Sequence, residues 1–199
     1  MSRLIAMLLT GFLALPPVSG SPVASMQEGV AVDRAAALRT FNERIGEYAA
    51  LHRRLEGPLP PLKPSTSPSA TILKRMRLAA AIKTARPQAR RGDIFTAAVG
   101  RLFRDLVAAA LEGHDIDAFL DDLSDEHERA AGYHPKVYDH YPEWASHYMP
   151  VVLLWALPTL PEDIEYRLIG RDLILWDIHA DLIVDVLLDA VAKREDCDD

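Results

Sequence analysis

An α+β fold, mainly helical with a small C-terminal antiparallel β-hairpin or three-stranded meander, is what the amino-acid sequence predicts. Three observations carry the prediction. Between Val30 and Leu55 apolar residues recur in steps of three and four, as one face of a helix requires. Val99, Phe103, Leu106 and Ala110 repeat that period between Thr96 and Gly113. From Ile164 to Val186 the pattern changes to short β-branched and aromatic runs, broken at Gly170-Arg171 and again from His179 to Asp181.

The chain has 199 residues, 49% of them hydrophobic, which suits one domain with a true core. Residues 1–20 have the pattern of a secretory signal peptide: Arg3, an apolar run from Leu4 to Leu15, Pro16-Pro17, and no acid before Glu28. Cleavage is expected near Gly20, with a second small-residue site at Val23-Ala24-Ser25 extending the range to 25. The apolar run falls short of the roughly 18 to 20 residues that cross a bilayer, so no integral membrane segment is expected after cleavage. A periplasmic or secreted location follows, with residues 26–199 as a single mature domain. Cys197 is the only cysteine, so no internal disulfide forms. It lies in an acidic tail, 195–199, expected to fray.

Leu38, Phe41, Ile45, Tyr48 and Leu55 make the apolar stripe of the first helix, with His52 in the seam and Arg39, Glu43, Glu47, Arg53 and Arg54 on the wet side. His52 is read as a packed or rim histidine rather than a ligand. Gly57 ends the helix, and a Pro-rich strap follows at 57–68, with five prolines in twelve residues. Its Pro58-Leu59-Pro60-Pro61-Leu62-Lys63 has the pattern of a PxxPxK ligand, but a semi-rigid strap across the helices is the plainer reading. Ser67-Pro68 places an N-cap before a proline at the first helical position and opens a helix to about Ala85.

Seven cations and no acid lie between Lys74 and Arg91. They predict either an anion site or a solvated face paired with acids, which the following segments would supply. Gly92-Asp93-Ile94-Phe95-Thr96 is a turn in which Thr96 caps the next helix and Phe95 can staple onto it. His114 to Glu128 has seven acids, no Lys or Arg, and helical apolar spacing, so a short acidic helix is expected. Phe119 and Leu120 stand where a calcium loop needs oxygen ligands and Gly, which argues against that ion.

Four of the seven histidines, His127, His134, His140 and His147, fall within 21 residues beside Asp139 and Glu143. Pro135 and Pro142 break any helix that would align them, so exposed loop histidines are expected and no cofactor is predicted. Zinc held by His134, Asp139 and His140 is the alternative. Pro150 to Leu157 predicts a short buried helix. If Gly170-Arg171 is a two-residue hairpin loop, Leu168 faces Leu173, Arg167 faces Ile174, Tyr166 faces Leu175 and Glu165 faces Trp176. Tyr166, Leu168, Leu173 and Leu175 then share the face that lies on the helices, and the charged residues take the wet face. Leu182 to Ala192 fits a third strand or a helix.

Leu157-Pro158-Thr159-Leu160-Pro161, Glu165-Tyr166-Arg167, Gly170-Arg171-Asp172-Leu173, Trp176-Asp177 and Leu182-Ile183-Val184-Asp185 carry a likeness, together with Leu51-His52-Arg53-Arg54-Leu55-Glu56 and Gly92-Asp93-Ile94-Phe95-Thr96. On these residues the chain resembles a family of uncharacterised exported bacterial proteins. The resemblance covers most of the mature chain, agrees with export and the hairpin, and implies no activity and no catalytic residue.

A net charge of -7 and pI near 5.5 oppose affinity for nucleic acid. The sequence lacks GxSxG, HExxH, a phosphate loop and a dinucleotide fingerprint. A non-catalytic envelope protein that binds a partner protein or a small anionic ligand is therefore expected. The alternative is a metal-binding protein or metal-dependent hydrolase built on the loop 127–147, with Asp139 or Glu143 as base. Histidines clustered beside carboxylates also suit an acid-responsive factor.

Overall fold

The computed structural model describes residues 22–61, 67–115, 118, 132–145 and 149–192. Residues 1–20, expected to be a signal peptide, most of the acidic segment 114–128, His127, His147 and the tail with Cys197 lie outside the described residues. Among the described residues four helices, α1 (Pro22–Glu56), α2 (Pro68–Ala85), α3 (Ala97–Ala110) and α4 (Val151–Ala156), precede three strands, β1 (Ile164–Ile169), β2 (Asp172–Asp177) and β3 (Leu182–Leu187). The α+β class and the C-terminal meander are as the sequence predicts. Among the described residues no helix is long and apolar enough to cross a membrane.

α1 starts before the periodic segment and buries Ala37, Phe41, Ile45, Tyr48, Ala49 and His52. The expected stripe holds at Phe41, Ile45, Tyr48 and His52 and differs at its start, where Ala37 meets the core and Leu38 stands 38% exposed. Gly57 donates its N–H to the Arg53 carbonyl at 3.0 Å and closes the last turn. α2 opens as its sequence requires: the Ser67 hydroxyl accepts from the Ala70 N–H at 3.4 Å, with Pro68 at the first helical position. Thr96 likewise accepts from the Val99 N–H at 3.4 Å and caps α3.

Phe41 of α1, Phe95 before α3 and Phe103 of α3 form the centre of the core. Ring centroids lie 4.7 Å apart for Phe41–Phe103 and 5.1 Å for Phe95–Phe103, in tilted and edge-on geometry. Tyr166 of β1 continues this stack toward the sheet, 6.1 Å from Phe103. Gly100 marks a close approach of α3 to β3, because a Cβ there would meet Leu187 Cδ1 at 3.0 Å.

The strands run antiparallel in the order β1-β2-β3, with Leu168↔Leu173, Arg167↔Ile174, Tyr166↔Leu175 and Glu165↔Trp176 in register, as expected from a Gly170-Arg171 loop. Gly170 has φ 57° and Arg171 does not share the positive φ, which is the pattern of a type II′ turn. Leu182 to Leu187 is a strand, with a bulge opposite Leu175 and Trp176.

The expected wet face of the sheet is corrected by the structure. Tyr166, Leu168, Leu173 and Leu175 pack on the helices, but Ile169, Ile174, Ile183 and Val186 on the other face are buried too, under Tyr141 and Ala145. The histidine-rich loop provides this cover. It also pairs with the free edge of β3, through Tyr138 N–H to the Ile183 carbonyl and Ile183 N–H to the Asp139 carbonyl, both at 2.8 Å. A loop that satisfies an open sheet edge cannot also fold back freely around an ion.

The buried helix expected at 150–157 is also corrected. Leu153 and Leu157 are buried, but Val151, Leu154 and Trp155 stand 47%, 46% and 85% exposed. Six residues make fewer than two turns, so only one side of α4 reaches the core.

Candidate metal centre

Tyr48, His52 and Glu56 stand at successive i, i+4 positions of α1 and therefore line one face near its C-terminus. Antiparallel pairing of β1 with β2 puts the residue before β1 beside the turn after β2. Asp163 and His179 meet there, with the Ile178 N–H donating to the Asp163 carbonyl at 3.1 Å. The end of α1 packs over this junction.

Asp177 organises the junction from beneath. It is fully buried, and both of its oxygens are used. Oδ1 accepts from the His179 N–H at 3.1 Å and the Ala180 N–H at 2.8 Å, which fixes the β2–β3 turn. Oδ2 accepts from the Tyr48 hydroxyl at 2.7 Å and lies 2.6 Å from His52 Nδ1. Burial and the Asp177 charge both push the Tyr48 pKa up, so the phenol keeps its proton.

Fully buried His52 directs its second nitrogen, Nε2, at Glu56 Oε2, 3.0 Å away, and at Asp163 Oδ2, 3.8 Å away. His179, 44% exposed, brings Nδ1 to 3.1 Å from Glu56 Oε2 and 3.5 Å from Asp163 Oδ1. Lys74 of α2 holds the other Glu56 oxygen at 2.7 Å. Burial works to lower the His52 pKa, but the Asp177 hydrogen bond and charge, with Glu56 and Asp163, outweigh it, and the net direction is up. For Glu56, burial acts to raise the pKa, and hydrogen bonds from Lys74, His179 and His52 overcome it, holding the carboxyl at about 2.

Among the described residues, His52, Glu56, Asp163 and His179 form a group whose potential ligand atoms all lie within 4.8 Å of one another. A tetrahedral ion with bonds of about 2.0–2.1 Å separates its ligands by roughly 3.3–3.4 Å. Glu56 Oε2 lies 3.0 and 3.1 Å from the two histidine nitrogens, and Asp163 reaches His52 Nε2 at 3.8 Å through Oδ2 or His179 Nδ1 at 3.5 Å through Oδ1, each near that value. Charge fits as well: Glu56, Asp163 and Asp177 against Lys74 leave two negative charges when the histidines are neutral. With His52 Nδ1 bonded to a carboxylate and Nε2 facing the group, the imidazole has the outer-shell support that metal-bound histidines have.

The sequence-predicted residues lie elsewhere and apart. His140 Nδ1 faces the Asp181 carbonyl at 3.0 Å and its carboxylate at 3.2 Å. Asp139 accepts from the Lys136 N–H at 3.0 Å and closes a turn. His134 is exposed and within electrostatic reach of Asp172. His134, Asp139 and His140 therefore do not gather their ligand atoms into one group among the described residues.

From sequence alone His52 reads as a packed or rim residue, and Asp163, Asp177 and His179 have no site role. One signal was present: Glu56 four residues after His52, the spacing that puts two ligands on one helix face. Among the described residues the cations of 74–91 meet acids on both sides in sequence, with Lys74 on the preceding Glu56, Arg86 3.7 Å from Asp93 in the following segment, and Arg75 3.8 Å from Asp181. Comparison of this chain with protein-family models, with curated proteins and with solved structures finds no match.

Proposed function

We propose that this chain is an exported, non-catalytic metal-binding protein that holds one divalent transition-metal ion, zinc fitting best, between the end of α1 and the strand meander. The observation that carries the reading is the convergence of His52 Nε2, Glu56, Asp163 and His179 Nδ1 within 4.8 Å, on an imidazole anchored by Asp177. Two imidazoles and two carboxylates suit zinc, which takes nitrogen and oxygen donors in four-coordinate geometry. Four protein ligands fill a tetrahedron and leave no position for an activated water. That favours holding an ion over hydrolysis.

The ion would tie the end of α1 to the residue before β1 and the turn after β2, which meet at one end of the β1–β2 pair and lie far from α1 in sequence. Metal binding then contributes to folding, as expected for a chain without an internal disulfide. Export, through the pattern of residues 1–20, would bring the protein to the envelope or beyond it.

The test is zinc titration of the purified, chelator-treated chain, read by competition with a metallochromic dye and by thermal unfolding. About one equivalent should bind, and free zinc at a hundred times Kd should stabilise by about 2.7 kcal/mol. For a domain of this size that raises Tm by roughly 5–10 °C. His179→Ala, at the half-exposed rim, should remain folded and lose most of the response. Less than roughly a tenth of an equivalent bound, or an undiminished response in His179→Ala, refutes the reading.

A further inference from the structure

One turn before His52, the outer side of α1 faces a groove of about 830 Å³, closed on its far side by residues 85–94. Arg44, Arg54, Arg86 and Arg90 line it, against Glu47 and Asp93. The wall is thus cationic in a chain whose net charge is -7.

The acids present do not satisfy these guanidinium groups. Arg86 is the most enclosed, its side chain 20% exposed and its guanidinium 5.2 Å from the Tyr48 ring centre. Its buried NH1 has no hydrogen-bond partner. The Asp93 carboxylate lies 3.7 Å from Arg86 NH2 and 3.7 Å from Arg90 Nε, beyond hydrogen-bond reach of both. One oxygen of that carboxylate is already taken by the Arg90 backbone N–H at 3.0 Å. Arg44 is held by a neutral group, donating to the Asp93 carbonyl at 2.5 Å, so its charge is not offset by that bond.

We propose that this groove is a binding site for a small polyanion bearing two or more adjacent phosphate or carboxylate groups. Guanidinium forks match the geometry of both oxyanions, and Arg86, backed by the Tyr48 ring, lines the groove with a guanidinium whose enclosed NH1 lacks a partner, so a small shift of the side chain would bring that donor to the anion. The volume is that of a small-molecule site. Glu47 and Asp93 at the same wall disfavour a long, uniformly charged polymer, which the net charge also repels. The groove stands independently of the metal centre, although Tyr48 borders both.

Isothermal titration of the full, chelator-treated chain at low ionic strength tests this with two probes, pyrophosphate and citrate, and sodium chloride of matched ionic strength as control. Without metal in the cell, chelation of an ion by either probe cannot produce the heat. Saturable one-to-one binding of at least one probe is expected, and the tighter probe identifies phosphate or carboxylate as the preferred group. Arg86→Met, which keeps the apolar stem, should weaken binding at least tenfold. Arg54→Ala and Arg90→Ala, exposed changes that leave the fold intact, should each weaken it severalfold. His179→Ala should leave it unchanged, so loss of the zinc response and loss of the anion response are separable. No saturable heat from either probe up to about 10 mM, or equal binding by wild type, Arg54→Ala and Arg90→Ala, overturns the assignment.

Discussion

Replacing Asp177 by Asn changes one heavy atom and tests the chemistry of the candidate metal centre. In the native arrangement Oδ1 accepts two backbone N–H groups, and Oδ2 accepts the Tyr48 hydroxyl and faces His52 Nδ1 at 2.6 Å. An amide has one acceptor oxygen, which stays with the two backbone donors of the β2–β3 turn. Its NH2 then points at Tyr48 and His52. The phenol can rotate and accept, but His52 must present a lone pair at Nδ1, which moves its proton to Nε2. Nε2–H donates to Glu56, 3.0 Å away, and the lone pair needed for a metal is lost. Restoring the binding tautomer would set Nδ1–H against the amide NH2, an unsatisfied buried pair that costs about 1–3 kcal/mol. At 1.4 kcal/mol per decade, zinc affinity should fall roughly 5- to 150-fold, a span that contains the roughly 10- to 100-fold loss typical when outer-shell partners of metal ligands are changed. Competition with a metallochromic dye measures the affinity, and 15N chemical shifts of the imidazole report the tautomer. A folded Asp177→Asn protein with zinc affinity within about twofold of wild type would refute the reasoning.

Three further outcomes follow from other contacts. The Glu56 carboxyl is held at about 2 in the fold against an ordinary 4.5, so its contribution to metal-free stability is complete above that ordinary value and is lost as pH falls from 4.5 toward 2. Denaturant titrations of the metal-free protein across this range should show the loss, and Glu56→Gln should flatten it; an equal slope in the variant counts against the Lys74, His179 and His52 bonds. Asp185→Asn should destabilise by about 3 kcal/mol or more, because the carboxylate accepts the N–H groups of Gly92, Ile94, Phe95 and Val186, two on each oxygen, and an amide nitrogen would face two donors. A loss under about 1 kcal/mol in urea unfolding would contradict that account. Trp155→Ala, at a side chain 85% exposed, should change stability by no more than about 0.5 kcal/mol, whereas a cost of about 3 kcal/mol would restore the buried helix the sequence suggests.

What the sequence made legible was set by local chemistry. Ser67-Pro68 and Thr96 cap their helices through bonds three residues long, and Gly170 fixes a two-residue turn whose period-two register then follows for the whole β1–β2 pair. The burial of Ile174 and Ile183 was not legible in that way, since it depends on a loop some 40 residues upstream returning to cover the second face of the sheet. Trp155 erred in the opposite direction, because an apolar run six residues long cannot bury its whole circumference.

The metal centre divides along the same line. His52 and Glu56 share a helix face by spacing alone, but a histidine and a carboxylate one turn apart also describe an ordinary ion pair on a helix surface, and nothing local separates the two. The difference lies in what faces them. His52 has an enclosed charged carboxylate, Asp177, on one nitrogen and two further carboxylates within 3.8 Å of the other. All of Asp177, Asp163 and His179 arrive through the pairing of β1 with β2, more than a hundred residues later in the chain. The hairpin that the sequence marks most strongly as structure is therefore also what delivers the candidate ligands. Asp177 holds the β2–β3 turn through Oδ1 and orients His52 through Oδ2, so the fold of that turn and the chemistry of the site rest on one side chain.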